Sequence, residues 1–181
     1  MPLLPQEPEL HPDDLFALDA PWIVAHVRSR QEKVLARHLH QLGIPFYLPQ
    51  VRRARRAQGR TRTSHLPLFP GYVFLRGGRE ARDGAWRSNV VAALLDVEDQ
   101  QRLGGELRQI RELQLAGASL EPYDSIVAGD AVRVTEGAFA GYTGVVVREK
   151  GRDRLLVMVS LLRKAVAVEF EREMLAALHQ A

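Results

Sequence analysis

Nine residues, Ala116-Gly-Ala-Ser-Leu-Glu-Pro-Tyr-Asp124, interrupt every periodicity in this chain of 181 residues, and the sequence has a different texture on either side of them. Small and turn-forming residues in such a run offer neither a helical stripe nor a strand alternation, so the segment reads as a linker. Upstream, helical and strand-like stretches are mixed. Downstream there are only short β-prone segments, 131–135, 144–147, 155–162 and 165–170, separated by glycines and charges. About 55 residues of short strands fit a small closed or nearly closed barrel, which removes exposed sheet edges. The expected fold is therefore α+β: an N-terminal antiparallel sheet flanked by helices (21–115), a linker (116–124) and a small SH3-like β-barrel (125–181).

The N-terminal part can be read in more detail. Residues 1–20 hold prolines at positions 2, 5, 8 and 12 and five acids, which predicts a flexible extension without regular structure. The segment lacks a basic stretch ahead of an apolar run, so it does not resemble a secretory leader, and no apolar run reaches the ~18–20 residues of a membrane span. Trp22-Ile-Val-Ala-His-Val27 has the length and character of a strand. Ser29-x-x-Glu32 has the spacing of a capping box opening a helix to about Leu42, with Val34, Leu35, Leu39 and Leu42 as its apolar stripe and Gly43 as its stop. Ile44 to Pro49 reads as extended. A hairpin with a basic tip is expected around Gly59. Pro70-Gly71 is a turn signal before the β-prone Tyr72-Val-Phe-Leu75. Trp86 and the apolar run 90–95 give a weaker signal, with Trp86 and Met158 expected as packing residues, and Glu106 to Leu115 reads as a helix carrying Leu107, Ile110 and Leu113.

Charge is the first functional clue. The net charge is only +3, yet residues 28–62 hold ten Arg or Lys against the single acid Glu32, a local +9. Such a field draws polyanions, and phosphate backbones are the commonest. The chain contains no cysteine, which excludes a disulfide framework, thiolate ligation and cysteine nucleophiles, and fits a reducing cytoplasm. Its six histidines are scattered, and no phosphate-binding loop, nucleophile elbow or paired-carboxylate motif is present. We expect no enzyme, no metal site and no cofactor.

The string Gly129-Asp-Ala-Val-Arg-Val-Thr-Glu-Gly-Ala-Phe-Ala-Gly-Tyr-Thr-Gly-Val-Val146 resembles the KOW motif of the NusG family of transcription elongation factors. Gly129, Asp130, Val132, Val134, Gly137, Phe139, Gly141, Gly144 and Val145 carry that match. Gly137, Gly141 and Gly144 are expected to permit turns, and the valines and Phe139 to fill a core. Phe69-Pro-Gly-Tyr-Val-Phe74 is similar to the family's signature turn and strand, and Trp22, the following helix, the basic hairpin and this turn occur in the family's order. The resemblance covers residues 20–178.

What it implies is a set of expectations. An apolar surface including Trp22, His26, Phe69, Pro70, Tyr72 and Phe74 would dock on the clamp helices of the largest RNA polymerase subunit. Because Tyr72 and Phe74 share one strand face and one face must be core, not every aromatic can belong to the interface. Arg52, Arg53, Arg55, Arg56, Arg60 and Arg62 would contact the DNA of the elongation complex. The barrel would recruit a ribosomal protein of the small subunit or the terminator Rho, and the factor, a cytoplasmic monomer, would suppress pausing or termination. Gln58 to Thr63 before Leu66-Pro-Leu-Phe looks more like the specialised RfaH-type branch than the general factor. In that branch the second domain can turn helical, and Glu169 to Leu178 contains good helix formers. The glycines and the alternation of Val157, Val159 and Leu161 instead favour a stable barrel here. The alternative from another class is a ribosome-associated KOW protein binding RNA, which would leave the Phe69–Phe74 unit without a purpose.

Overall fold

A computed structural model describes residues 9–57, 59–123, 130–136, 140–149, 152–169 and 175–177. Contacts divide the chain into two compact units, residues 1–100 and 101–181.

The first unit is built on a five-stranded antiparallel sheet. Its spatial order is β1 (Leu10–His11), β3 (Phe46–Tyr47), β6 (Tyr72–Arg76), β2 (Trp22–Val27) and β7 (Val91–Asp96). Period-two alternation sorts its side chains. Ile23, Ala25, Val27, Val73 and Leu75 share one core with Leu35, Ala36 and Leu39 of helix α1 (Glu32–Gln41) and with Ala81 and Ala85 of helix α2 (Arg79–Arg87). Each buried leucine there contributes ~1.5–3 kcal/mol of transfer free energy. Helix α2 escapes the sequence reading because its stripe is only Ala81 and Ala85, too small to register as amphipathic. Small residues are what the packing demands: a Cβ on Gly84 would fall 2.2 Å from Ile44 Cδ1.

Two local expectations change. The Ser29–Glu32 capping box does not form. The helix begins at Glu32, and this buried carboxylate instead accepts the Gly71 N–H at 2.6 Å, pinning the turn before β6. Nor are residues 9–20 without structure. β1 pairs with β3, a 3-10 turn spans Leu15–Ala17, and Leu15 is fully buried. Phe16 sits 5.7 Å from the Trp22 ring and 5.5 Å from Tyr47. The Arg76 guanidinium donates to the Leu18 and Ala20 carbonyls at 2.6 and 2.9 Å while stacking 4.7 Å over Trp22. Three of the four prolines precede residue 9, and the contacts of Leu15 and Phe16 offset the entropy cost of ordering residues 9–20.

Between β3 and β6 a separate two-stranded ribbon is inserted, β4 (Gln50–Ala57) and β5 (Arg60–Pro67), the expected hairpin. Gly59 takes φ +75° in its turn, where a side chain would be strained.

In the second unit, β13 (Leu175–Ala177), β9 (Asp130–Val134), β10 (Thr143–Glu149), β11 (Arg152–Val159), β12 (Lys164–Glu169) and β8 (Leu120–Tyr123) pair antiparallel in that order. Consecutive residues of β11 (Leu155, Leu156, Val157) and of β12 (Ala165 to Val168) are buried, so these two strands are covered on both faces. Within the stretch of helix formers Glu169 to Leu178, Leu175–Ala177 are a strand on β9. Leu120–Tyr123, inside the expected linker, are the strand beside β12.

Helix α3 (Gln100–Leu115) begins six residues earlier than the sequence suggests. Leu103 extends the buried stripe of Leu107, Ile110 and Leu113 by a turn, which offsets the ~1 kcal/mol that each of Gly104 and Gly105 costs in a helix. Apart from Gln100 the helix groups with the second unit. The Gln109 side-chain amide donates to the Thr143 carbonyl at 2.9 Å, Glu106 accepts the Ser160 N–H at 3.0 Å, and the Tyr142 hydroxyl donates to Glu112.

Candidate docking surface and nucleic-acid interface

The chain direction of each strand gathers several loops at one end of the first sheet. β2 ends there, β6 and β7 begin there, and β3 runs out there into the ribbon. The junctions are hydrogen-bonded: Val27 N–H to the Gly71 carbonyl at 2.8 Å, Arg28 N–H to Val90 at 3.0 Å, and Gly71 N–H to Glu32. Gly71 takes φ +88°, and a Cβ there would lie 3.5 Å from the His26 ring. The Pro70-Gly71 turn is therefore rigidly held.

The six residues expected to dock a partner separate into two groups. Phe69 and Phe74 are fully buried and meet edge to face with centroids 5.8 Å apart, and Trp22 is buried between Phe16 and the Arg76 guanidinium. Their rings hold the fold together. Pro70 and His26 are exposed and Tyr72 is half-buried, and the His26 and Tyr72 rings stack at 5.0 Å with planes 29° apart, from directly paired positions on β2 and β6. Alternation accounts for the split along β6. Tyr72 and Phe74 share a face, but Tyr72 lies at its open end.

On the ribbon, Arg52, Arg53, Arg56 and Arg60 are exposed, and none of their guanidiniums makes a hydrogen bond or ion pair among the described residues. Residues 50–67 contain no acid, so their charges are uncompensated within the ribbon. Arg55 and Arg62 are paired positions in its backbone register.

Trp86, expected as packing, is 48% exposed on α2. Exposure of an indole cannot be read from a sequence in which the helix itself is hidden. Met158 does pack, against Val147, Leu156, Ala165 and Ala167.

Within the KOW-like string, Val132 and Val134 are buried and Val145 packs on the barrel core. Gly141 adopts φ +93° in a turn, its N–H bonded to Val134. Gly144 lies inside β10 rather than at a turn. What it provides is close approach, since a Cβ would fall 2.5 Å from the Leu156 carbonyl oxygen. Asp130 opens β9 in backbone register with Val146, whereas Gly129, Gly137 and Phe139 lie outside the described residues.

Among the described residues no cluster of three or more His, Asp or Glu side chains could hold a metal ion, and no helix is long and apolar enough to cross a membrane. Burial and the neighbouring Glu112 carboxylate raise the Tyr142 phenol above its ordinary range.

Residues 20–97 match a family model described as transcription termination factor nusG. The transcription termination/antitermination protein NusG of Pasteurella multocida is 30% identical over 149 residues, covering 74% of this chain and 78% of that protein. The protein of the same description from Pseudomonas aeruginosa is 26% identical over 180 residues, covering 83% and 96%. That from Vibrio parahaemolyticus is 26% identical over 160 residues, covering 80% and 83%.

Proposed function

Since the chain belongs to the NusG family of transcription termination/antitermination proteins, we propose that it acts without catalysis, as a cytoplasmic monomer that docks on RNA polymerase and suppresses pausing or termination. The observation that carries this reading is the held turn at the open end of the first sheet, with exposed Pro70 and the stacked pair His26 and Tyr72 beside an uncompensated arginine ribbon. An aromatic platform fixed by buried neighbours loses little entropy on binding, which is what anchors of protein interfaces have in common. The partner of this platform is the clamp-helix pair of the largest polymerase subunit. Phe69, Phe74 and Trp22 shape it from beneath.

The ribbon would meet the DNA of the same complex, where the positive field of Arg52, Arg53, Arg55, Arg56, Arg60 and Arg62 would give salt-dependent phosphate binding. The barrel with its KOW-like string recruits a second protein, a small-subunit ribosomal protein or Rho, and connection to a docked first unit raises that protein's effective concentration near the polymerase. Residues 21–115 and 125–181 would be the two functional domains.

Titration of the full chain onto an assembled elongation complex, beside a His26→Ala/Tyr72→Ala variant and naked RNA, tests the reading. Saturable binding to the complex that the variant loses is expected. Undiminished binding by the variant, with preference for naked RNA, would replace it with a ribosome-associated RNA-binding role.

A further inference from the structure

We propose that the ribbon is functionally two-sided: the row holding Arg53 and Arg60 lies on the phosphodiester backbone of a nucleic-acid duplex, and the row holding Thr61, Thr63 and His65 faces away. This rests on the nucleic-acid role proposed for the ribbon as a whole.

The register sorts the arginines. Arg53 pairs with Ser64, Arg55 with Arg62 and Ala57 with Arg60, and alternation puts these three pairs in one row. Arg52 with His65, Ala54 with Thr63 and Arg56 with Thr61 form the other. Four of the six arginine positions thus fall in the first row, and the second dilutes its two with threonines, an alanine and a histidine. Four residues of rise separate Arg53 from the pair containing Arg60, about 13 Å at ~3.3 Å per residue. That length spans about four phosphates of one strand at ~3.4 Å each.

Folding alone gives no reason for the row. Residues 50–67 supply no acid to offset the arginines, and the exposed guanidiniums of Arg53 and Arg60 have no partner among the described residues. A ligand with closely spaced anionic oxygens supplies what is missing, because the guanidinium fork takes phosphate oxygens two at a time. The ribbon also contains no Phe, Tyr or Trp. Single-strand binders stack bases on such rings, so a duplex backbone is the form of nucleic acid this surface suits.

The test removes equal charge from each row. Full-length wild type, Arg53→Ala/Arg60→Ala and Arg52→Ala/Arg56→Ala are titrated onto a short fluorescein-labelled DNA duplex across a salt series, with thermal melting to establish that each variant is folded. The first variant is expected to reduce the slope of log K against log salt by about 2, two phosphates at ~0.9 each, and the second by less than half of that. Equal or reversed losses would overturn the sidedness while leaving the ribbon as the nucleic-acid element. No loss from either variant, or no salt-dependent binding by wild type, would overturn the ribbon reading as well. If polyglutamate displaces the duplex as well as unlabelled duplex does at equal charge, the nucleic-acid ligand itself is refuted.

Discussion

Replacing Phe69 by alanine separates two roles that its motif confuses. The ring is 1% exposed and packs edge to face on the fully buried Phe74. Deleting it removes the transfer free energy of a buried aromatic and leaves a cavity, together ~3–5 kcal/mol. For a unit whose total stability is on the order of 5–15 kcal/mol, that is at least about a fifth of the whole. Tyr72→Ala, immediately after the turn, removes a half-buried ring stacked on exposed His26. The stack is worth ~0.5–1.5 kcal/mol and the site can relax into solvent, so the loss stays below ~2 kcal/mol. Both tryptophans, Trp22 and Trp86, lie in the first unit, so urea unfolding followed by tryptophan fluorescence reports on that unit. The Phe69→Ala midpoint should fall by at least about one and a half times the Tyr72→Ala shift with m unchanged. Equal midpoints would refute the division into a buried support and an exposed platform. A functional consequence is that loss of binding by a Phe69 variant says nothing about contact, whereas loss by a His26 or Tyr72 variant in a stable fold does.

Gly144→Ala forces a Cβ to within 2.5 Å of the Leu156 carbonyl oxygen and 2.8 Å of Leu155 Cδ1; we expect ~1–3 kcal/mol of destabilisation, visible as a lower melting temperature with the first-unit fluorescence transition unmoved. Glu32→Gln exchanges a charge-assisted bond to Gly71 for a neutral one, a loss of ~1 kcal/mol that should appear in the same urea assay and loosen the turn's amide protection in hydrogen exchange. Arg76→Lys loses the fork that holds the Leu18 and Ala20 carbonyls, so residues 9–20 should become accessible to protease before the rest of the unit. Tyr142 has its folded-state pKa raised by burial and by Glu112; its contribution to stability is complete below about pH 10 and is lost as pH climbs beyond it, where the unfolded phenol ionises first. Tyr142→Phe should remove that part of the alkaline destabilisation in melts between neutral and high pH.

Strong periodicities are legible in the sequence and weak ones are not. β2, α1 and β6 declare themselves because branched and aromatic residues cluster or leucines recur at helical spacing, and the hairpin because Gly59 punctuates the arginine-rich run. α2 does not, since Ala81 and Ala85 bury too little area to stand out from its charges. The ordering of residues 9–20 depends on Phe16 meeting Trp22 and Tyr47 and on Arg76 reaching back some 56 residues, contacts that local composition cannot contain. The docking surface is legible as a set of residue types, and the constraint that one face of β6 must be core holds. The sequence does not reveal the sheet's open end, which leaves Tyr72 at the surface and covers Phe74. Gly144 illustrates the same limit. Its need for a small residue is visible, but the reason, a neighbouring strand's carbonyl, is tertiary.

The central claim is that the His26 and Tyr72 platform meets RNA polymerase. The most direct measurement places a photo-crosslinking amino acid at position 72 of the full chain, and at exposed position 41 at the end of α1 as a control, and maps the products formed on an elongation complex in the presence of ribosomes. A crosslink from position 72 to the clamp helices of the largest subunit is expected, with none there from position 41. Crosslinks from position 72 confined to ribosomal protein or RNA would contradict the claim.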